Sequence, residues 1–267
     1  MPTNTLDLSV PMLKIIHDKF SNETITSNQQ MTVSISLLDD HERPFILVFP
    51  GGGYHHLAEK EGKPIVKWLH SIGYHAGVLY YPIGTIDHLS MVKELEEAFI
   101  QLRKHAKKWH ITENKIGALG FSAGGHLAGL AGTKITNRAN ALLLCYPVIT
   151  FTEPFRHAGS REHFLGSTQP SKHLVESYSI EHLIDEHTPP TFIWHTADDQ
   201  SVPIQNTILL ANSLARHNIP FEYHVFPSGK HGLGMAKEFP YVERWLSFAE
   251  IWLKNIFDDK SLEGKHA

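Results

Sequence analysis

The stretch KIGALGFSAGGHLA, residues 115–128, joins an apolar run to a run of small residues through Gly120-Phe121-Ser122-Ala123-Gly124. The apolar run 115–121 predicts a buried strand, and residues 123–133 predict a helix. Glycines on both sides of the serine permit a sharp strand-to-helix turn, which lifts the Ser122 hydroxyl above the sheet. The segment therefore predicts a nucleophilic serine. The alternative is a tight turn whose glycines only pack the helix on the strand.

Short apolar runs alternate with longer amphipathic ones on both sides of this segment. The predicted strands are 31–38, 45–50, 76–81, 115–121, 141–148, 191–196 and 221–226, and the predicted helices are 63–72, 89–109, 123–133, 202–217 and 239–257. We expect Ser201 to be the N-cap of the helix 202–217 and Pro203 to lie in its first turn. Strands joined by connections of this length form a mostly parallel sheet with helices on both faces, so an α/β fold is expected.

Residues 151–186 break this alternation. They are rich in His, Ser, Glu and aromatic residues and show no clean period. We therefore expect a short lid over residues 151–186, inserted into a single domain that spans residues 1–267 and has its core at about 31–257.

The composition excludes several classes of protein. A net charge of −4, from 24 basic and 28 acidic residues, argues against a surface for nucleic acid or for anionic membranes. The 20 histidines are scattered and form no His-Glu-x-x-His motif, so no metal site is expected. Cys145, the single cysteine, lies in an apolar run and is expected to be an inert buried thiol.

Residues 1–11 lack a secretory pattern and no stretch has the ~18 apolar residues of a membrane span, so the cytoplasm is the expected compartment.

A serine nucleophile needs a general base and an acid that orients the base, and both are found further along the chain. Asp198 and Asp199 follow the predicted strand 191–196, where a carboxylate would lie at the carboxyl edge of a parallel sheet. His231 lies in the glycine-rich loop after the last predicted strand, so the order serine, acid, histidine is met. The alternatives are that the aspartates cap a helix and that His231 is a surface histidine.

Three glycines follow the predicted strand 45–50, in the sequence Pro50-Gly51-Gly52-Gly53-Tyr54. Such glycines bring bare backbone N–H groups close to a ligand, where they stabilise a developing oxyanion together with the Ala123 N–H at the start of the next helix. The spacing matches neither phosphate-binding glycine motif. A plain glycine turn is the alternative.

Taken together, these motifs resemble the α/β-hydrolase superfamily, and more closely the small bacterial carboxylesterases of the acetyl-esterase and acetyl-xylan-esterase group. The resemblance covers about residues 45–257. It implies an α/β-hydrolase fold with Ser122 as nucleophile, His231 as base and Asp199 as acid, since the family places the acid three residues before the Val of a Val-Pro pair, here Val202. It further implies oxyanion donors at Gly52, Gly53 and Ala123.

Two departures from the family pattern concern the surroundings of the serine. The family's histidine before the three glycines is Pro50 here, and a long N-terminal helical cap is missing. Any lid must then come from residues 151–186. We expect Tyr54, Phe151 and Phe155 to line the substrate pocket; the alternative is that they are ordinary packing or surface residues.

The resemblance predicts a serine carboxylesterase that hydrolyses small acyl esters, from acetyl to butyryl and including acetylated sugars, through an acyl-enzyme. The expected partner is a small-molecule ester, neither a cofactor nor a metal is expected, and the sequence leaves the oligomeric state open. The first alternative is a prolyl-oligopeptidase-like serine peptidase, against which stands the lack of a gating domain in 267 residues. The second is a non-catalytic ligand-binding protein that keeps the fold.

Overall fold

The structure is a computed structural model that describes residues 14–17 and 31–258. Its strands are β1 (Lys14–His17), β2 (Thr32–Ser36), β3 (Arg43–Phe49), β4 (His75–Tyr80), β5 (Ile111–Phe121), β6 (Ala141–Cys145), β7 (Thr191–Thr196) and β8 (Phe221–Phe226). Its α-helices are α1 (Lys63–Ser71), α2 (His88–Lys104), α3 (Ser122–Thr133), α4 (Ala158–Leu165), α5 (Lys172–Glu176), α6 (Gln205–Arg216), α7 (Pro240–Glu243) and α8 (Trp245–Asp258).

The strands form one sheet in the order β1-β2-β4-β3-β5-β6-β7-β8. Only the β2–β4 pair is antiparallel, so the predicted mostly parallel sheet is confirmed. Apolar side chains of α2, α3 and α6 pack on one face of the sheet, and those of α1 and α8 pack on the other. Among the helices within the described residues, none is long and apolar enough to cross a membrane.

Four parallel strands end at the same edge of this sheet. They are β3, β5, β7 and β8, and they lead respectively into the glycine loop (residues 51–53), Ser122, the segment with Asp198 and Asp199, and the histidine loop (residues 229–234). The carboxyl ends of parallel strands form the usual binding crevice of an open α/β sheet. The topology thus brings the residues predicted to carry the chemistry to one edge.

The start of α3 lies against the end of β3 more closely than a side chain would permit. A Cβ built at Gly124 would overlap the carbonyl oxygens of Phe49 and Pro50, and one built at Gly120 would overlap the backbone of Gly124. Glycine is therefore required at both positions by close backbone approach. This contact fixes the serine next to the glycine loop.

Three predicted helices differ from the observed ones by more than a one-residue shift at an end. The helix expected at 202–217 begins only at Gln205, so Ser201 is not its N-cap; the Asp199 carboxylate accepts hydrogen bonds from the backbone N–H groups of Ser201 and Val202 and holds them in a turn. The helix expected at 89–109 ends at Lys104 and is followed by a short 3-10 turn. The helix expected at 239–257 is divided into α7 and α8 at Arg244.

The segment 151–186, predicted to be a lid, is anchored in the core. His126 of α3 is fully buried; its Nε2–H donates to the Tyr178 carbonyl at 2.7 Å and its Nδ1 accepts from the Tyr54 hydroxyl at 2.8 Å. Phe151 and Phe164 of the segment are fully buried around the same imidazole. The segment therefore packs as part of the domain, with α4 and α5 as its helices.

The close approach at Gly124 predicts a large cost for Gly124→Ala. The added methyl group must displace two backbone carbonyls, and overpacking of this kind destabilises by about 1–3 kcal/mol or more. We expect the free energy of unfolding, measured by urea denaturation, to fall by at least about 2 kcal/mol.

The matched control is Gly159→Ala in α4, where the added Cβ would make only ordinary van der Waals contact with His157 at 3.7 Å. It should leave stability within about 1 kcal/mol of wild type, since alanine favours helix. Equal stabilities of the two variants would show that α3 does not approach β3 this closely.

The buried His126 predicts an acid-dependent loss of stability. Burial lowers the pKa of His126 to about 4, whereas the ordinary pKa of histidine is about 6.5. Between these two pH values His126 is therefore protonated in the unfolded chain and neutral in the folded protein. Stability from this group is present above pH 6.5 and is lost as the pH falls towards 4. The advantage of wild type over His126→Gln in unfolding free energy should therefore shrink by about 2 kcal/mol between pH 7 and pH 5.

Urea denaturation of both proteins across this pH range measures the change. His187→Gln, at an exposed histidine, should follow the wild-type curve in parallel. A constant difference between wild type and His126→Gln would mean that His126 is not held uncharged.

Candidate active site

Ser122 occupies the turn between β5 and α3 in a strained backbone conformation. Its φ of +53° lies in the left-handed region, which non-glycine residues seldom adopt. The Ser122 carbonyl accepts a hydrogen bond from the Val148 N–H at 2.9 Å, and the side chain is 6% exposed. The turn thus presents the hydroxyl at the carboxyl edge of the sheet, as the glycine–serine pattern predicts.

His231 connects the serine to a carboxylate. Its Nε2 lies 2.8 Å from Ser122 Oγ, and its Nδ1 lies 2.6 Å from Asp199 Oδ2. Because a carboxylate only accepts, Nδ1 carries the proton and Nε2 is free to accept from the serine hydroxyl. The structure therefore joins the three predicted residues in one hydrogen-bonded chain, with the histidine oriented as a general base requires.

Asp199 is the carboxylate of this chain, and its neighbour Asp198 has a different place. Asp199 is 7% exposed, and its Oδ1 accepts from the backbone N–H groups of Ser201 and Val202 at 2.8 and 3.0 Å. Burial on its own would raise the pKa of Asp199, but hydrogen bonds to its charged form, led by those from His195 and His231, hold that pKa well below its usual range. Asp199 is thus ionised at neutral pH.

Asp198 faces the surface and binds the histidine loop. Its carboxylate accepts from the Ser228 hydroxyl at 2.7 Å and from the Gly229 N–H at 2.8 Å. Neither aspartate therefore caps a helix, which was the alternative considered for them: Asp199 holds its own turn, and Asp198 holds the segment that leads to His231.

A second histidine, His195, supports Asp199 and was missed in the sequence. It is fully buried at the end of β7, with Nε2 at 3.2 Å from Asp199 Oδ2 and at 3.0 Å from the Val202 carbonyl. Both neighbours are acceptors, so Nε2 carries the proton and donates to them. A polar residue in an otherwise apolar predicted strand, four residues before the aspartate, was the available signal.

The N–H groups of the three predicted oxyanion donors, Gly52, Gly53 and Ala123, make no hydrogen bond among the residues that the structure describes. Within the described part of the chain, no hydrogen bond uses the N–H of Gly52 or Gly53. Ala123 is the second residue of α3, so its N–H has no acceptor within the helix. A Cβ built at Gly51 would lie 3.0 Å from Ser122 Cβ, which shows how close the glycine loop comes to the nucleophile.

Hydrogen bonds at Gly51 and Pro50 hold the glycine loop, in which Pro50 stands where the family pattern has a histidine. The Gly51 N–H donates to the buried Glu61 carboxylate at 2.9 Å, which removes this group from the set of oxyanion donors. The Pro50 carbonyl accepts from the Tyr81 hydroxyl. At Gly52, with φ +127°, a Cβ would overlap the His56 carbonyl, so only glycine fits.

The pocket residues predicted from the sequence need correction. Tyr54 and Phe151 are fully buried in the core, where both rings pack around His126, so they lie behind the site instead of lining it. Phe155 is half-buried, and its carbonyl accepts from the Asn206 side chain. The residue beside the glycine loop is His157, whose ring lies 3.8 Å from a Cβ built at Gly53. An aromatic residue that packs the core and one that lines a pocket look alike in sequence.

Other reactive side chains do not compete with the serine. Cys145 is fully buried, and burial raises the pKa of its thiol well above the usual value, as expected for an inert cysteine. Within residues 14–17 and 31–258, no group of three or more His, Cys, Asp or Glu side chains is placed to hold a metal ion.

The chain resembles known proteins over most of its length. A family model described as BD-FAE matches residues 37–214. A solved structure of an acetyl ester-xyloside bifunctional hydrolase from Caldicellulosiruptor lactoaceticus superposes with a TM-score of 0.81 at 42% identity, over 84% of this chain and 87% of that one.

Two curated relatives are similar over 217 residues. An acetylxylan esterase of Xylanibacter ruminicola is 34% identical, over 79% of this chain and 45% of that protein. An endo-1,4-beta-xylanase B of Butyrivibrio fibrisolvens is 35% identical, over 75% of this chain and 34% of that protein. The chain thus matches less than half the length of either.

Since the family model spans well over half of the 267 residues, the chain belongs to the BD-FAE family, a group of α/β-hydrolase fold with esterases among its relatives.

Proposed function

We propose that this protein is a serine carboxylesterase that cleaves small acyl esters through an acyl-enzyme. The observation that carries the proposal is the unbroken hydrogen-bonded chain from Ser122 through His231 to Asp199. The glycine loop comes close to Ser122 at Gly51, and within the described residues the N–H groups of Gly52 and Gly53 make no hydrogen bond. A nucleophile, an oriented base and oxyanion donors within reach of one point are the parts that acyl transfer requires.

The first half of the reaction forms the acyl-enzyme. Ser122 Oγ attacks the ester carbonyl carbon while His231 Nε2 takes the hydroxyl proton, and the ionised Asp199 stabilises the resulting imidazolium. The carbonyl oxygen gains negative charge and accepts from the N–H groups of Ala123 and the glycine loop. The tetrahedral intermediate then collapses, and the alcohol leaves with the proton from His231.

The second half returns the enzyme to its starting state. A water molecule gives its proton to His231 Nε2 and attacks the acyl carbon, and the same N–H groups stabilise the second oxyanion. The ester bond to Ser122 breaks, Ser122 recovers its proton from His231, and the carboxylic acid is released.

Short acyl groups, from acetyl to butyryl, are the proposed substrate class, with acetylated sugars among them. The names of the relatives, an acetylxylan esterase and an acetyl ester-xyloside hydrolase, support the same class.

Replacement of the serine is the direct test of this proposal. Hydrolysis of p-nitrophenyl acetate by Ser122→Ala at pH 7.5 should fall by about 10⁴–10⁶ relative to wild type, because the loss of a triad member leaves only binding and the oxyanion donors. Ser71→Ala, at an exposed serine far from the site, should keep wild-type turnover.

The same assay with butyryl and decanoyl esters, and with a proline p-nitroanilide, separates the alternatives. Faster cleavage of the anilide than of the acetyl ester would favour a peptidase of the prolyl-oligopeptidase kind. Equally slow turnover by wild type and Ser122→Ala would favour a non-catalytic binding protein.

The two adjacent aspartates allow a matched test of the acid. Asp199→Asn should lower kcat by about 10⁴, because the amide no longer stabilises the imidazolium or selects the tautomer of His231. Asp198→Asn can still accept from the Gly229 N–H, so we expect kcat within about tenfold of wild type. The reverse order of the two effects would move the acid to Asp198.

A further inference from the structure

One buried carboxylate near the site is not part of the triad. Glu61, on a single 3-10 turn (Glu59–Glu61), is only 2% exposed, and each of its oxygens accepts a different donor. Oε2 accepts from the Gly51 N–H at 2.9 Å, and Oε1 accepts from the Tyr146 hydroxyl at 2.7 Å. Burial raises the pKa of Glu61, and the hydrogen bonds from Tyr146 and Gly51 oppose that rise.

Tyr146 continues this connection to the histidine loop. Its hydroxyl accepts from the Gly234 N–H at 2.7 Å while it donates to Glu61. Its ring lies edge-on to the His231 imidazole, with 5.0 Å between the ring centroids. The tyrosine is 1% exposed and directly follows β6 with a positive φ of 37°, so its position is set by the sheet.

The two side chains thus join the two loops that must act together. The glycine loop supplies oxyanion donors, and the histidine loop carries the base. Between them runs one chain of hydrogen bonds: Gly51 N–H to Glu61, Tyr146 hydroxyl to Glu61, and Gly234 N–H to Tyr146. A carboxylate suits the middle of this chain because it accepts at both oxygens, whereas an amide accepts at only one.

We propose that Glu61 and Tyr146 form one positioning unit that sets the distance between the oxyanion donors and His231. The proposal rests on the proposed ester hydrolysis. Donors and base must converge on the same carbonyl group, and misplacement by about 1 Å can cost about 10²-fold in rate. The hydrogen bonds of the unit go to the two loops and not to Ser122, His231 or Asp199, so its loss should act on turnover and leave ground-state binding in place.

The test compares Glu61→Gln, Tyr146→Phe and the double variant with p-nitrophenyl acetate. A fluorophosphonate that labels Ser122 counts competent sites, so kcat is obtained per active site and loss of folded protein does not enter. We expect kcat per site to fall by about 10- to 100-fold in each single variant, with KM within about threefold of wild type. The double variant should lose little more than the worse single variant, because both substitutions break one chain.

A transition-state analogue gives an independent readout. A boronic acid that forms a tetrahedral adduct on Ser122 should bind more weakly in each variant by the same factor by which kcat/KM falls. Glu59→Gln, on the same 3-10 turn, and Tyr241→Phe, at an exposed tyrosine, are the matched controls and should behave as wild type.

Three results would overturn the positioning role. One is a kcat per site within about twofold of wild type in both single variants; Tyr146→Phe alone decides this if Glu61→Gln does not fold. Another is additive losses in the double variant, which would mean two independent roles. The last is a loss confined to the number of labelled sites, which would mean a purely structural role. Failure of the proposed function itself would be seen separately, as turnover that survives in Ser122→Ala.

Discussion

The close contact of α3 with the end of β3 is the constraint on which the rest of the site depends. With only hydrogen at the Cα of Gly124, the helix start reaches the carbonyls of Phe49 and Pro50, and this brings Ser122 beside the glycine loop. The same approach holds the serine at φ +53°, a conformation that the surrounding backbone must maintain. One contact therefore positions both the nucleophile and the glycine loop, while the acid and the base follow β7 and β8.

Two buried carboxylates flank His231 and are stabilised in different ways. Asp199 accepts from two backbone N–H groups and two imidazoles, which hold its charge close to the base. Glu61 accepts from one backbone N–H and one phenol and joins two loops. Burial of a carboxylate without such partners would be costly. The site thus uses hydrogen bonds from its own backbone to keep both carboxylates in place.

Much of the fold followed from the sequence because apolar runs and glycine positions are local signals. Strands 191–196 and 221–226 were predicted with the bounds observed, and the serine turn was found from its glycines. The start of α6 was missed because the Asp199 side chain captures the N–H groups that a helix start would have used. Glu61 was missed because its partner Tyr146 lies 85 residues further along the chain, and His195 because the strand pattern does not show that its side chain turns towards Asp199. Tyr54 and Phe151 were misplaced because the sequence pattern does not distinguish an aromatic residue of the core from one that lines a pocket.

All twelve residues of α3 are buried, so a substitution on any face of this helix affects its packing. A Cβ at Gly132 would press on Leu142 of β6, one at Gly129 on Ile180, and one at Gly125 on Pro147. Each of these three glycines is thus matched to a larger residue opposite, and the total volume across each pair is constrained. A larger side chain at one of these three positions would therefore need a smaller residue opposite, whereas at Gly124, which packs on backbone, no such exchange can make room.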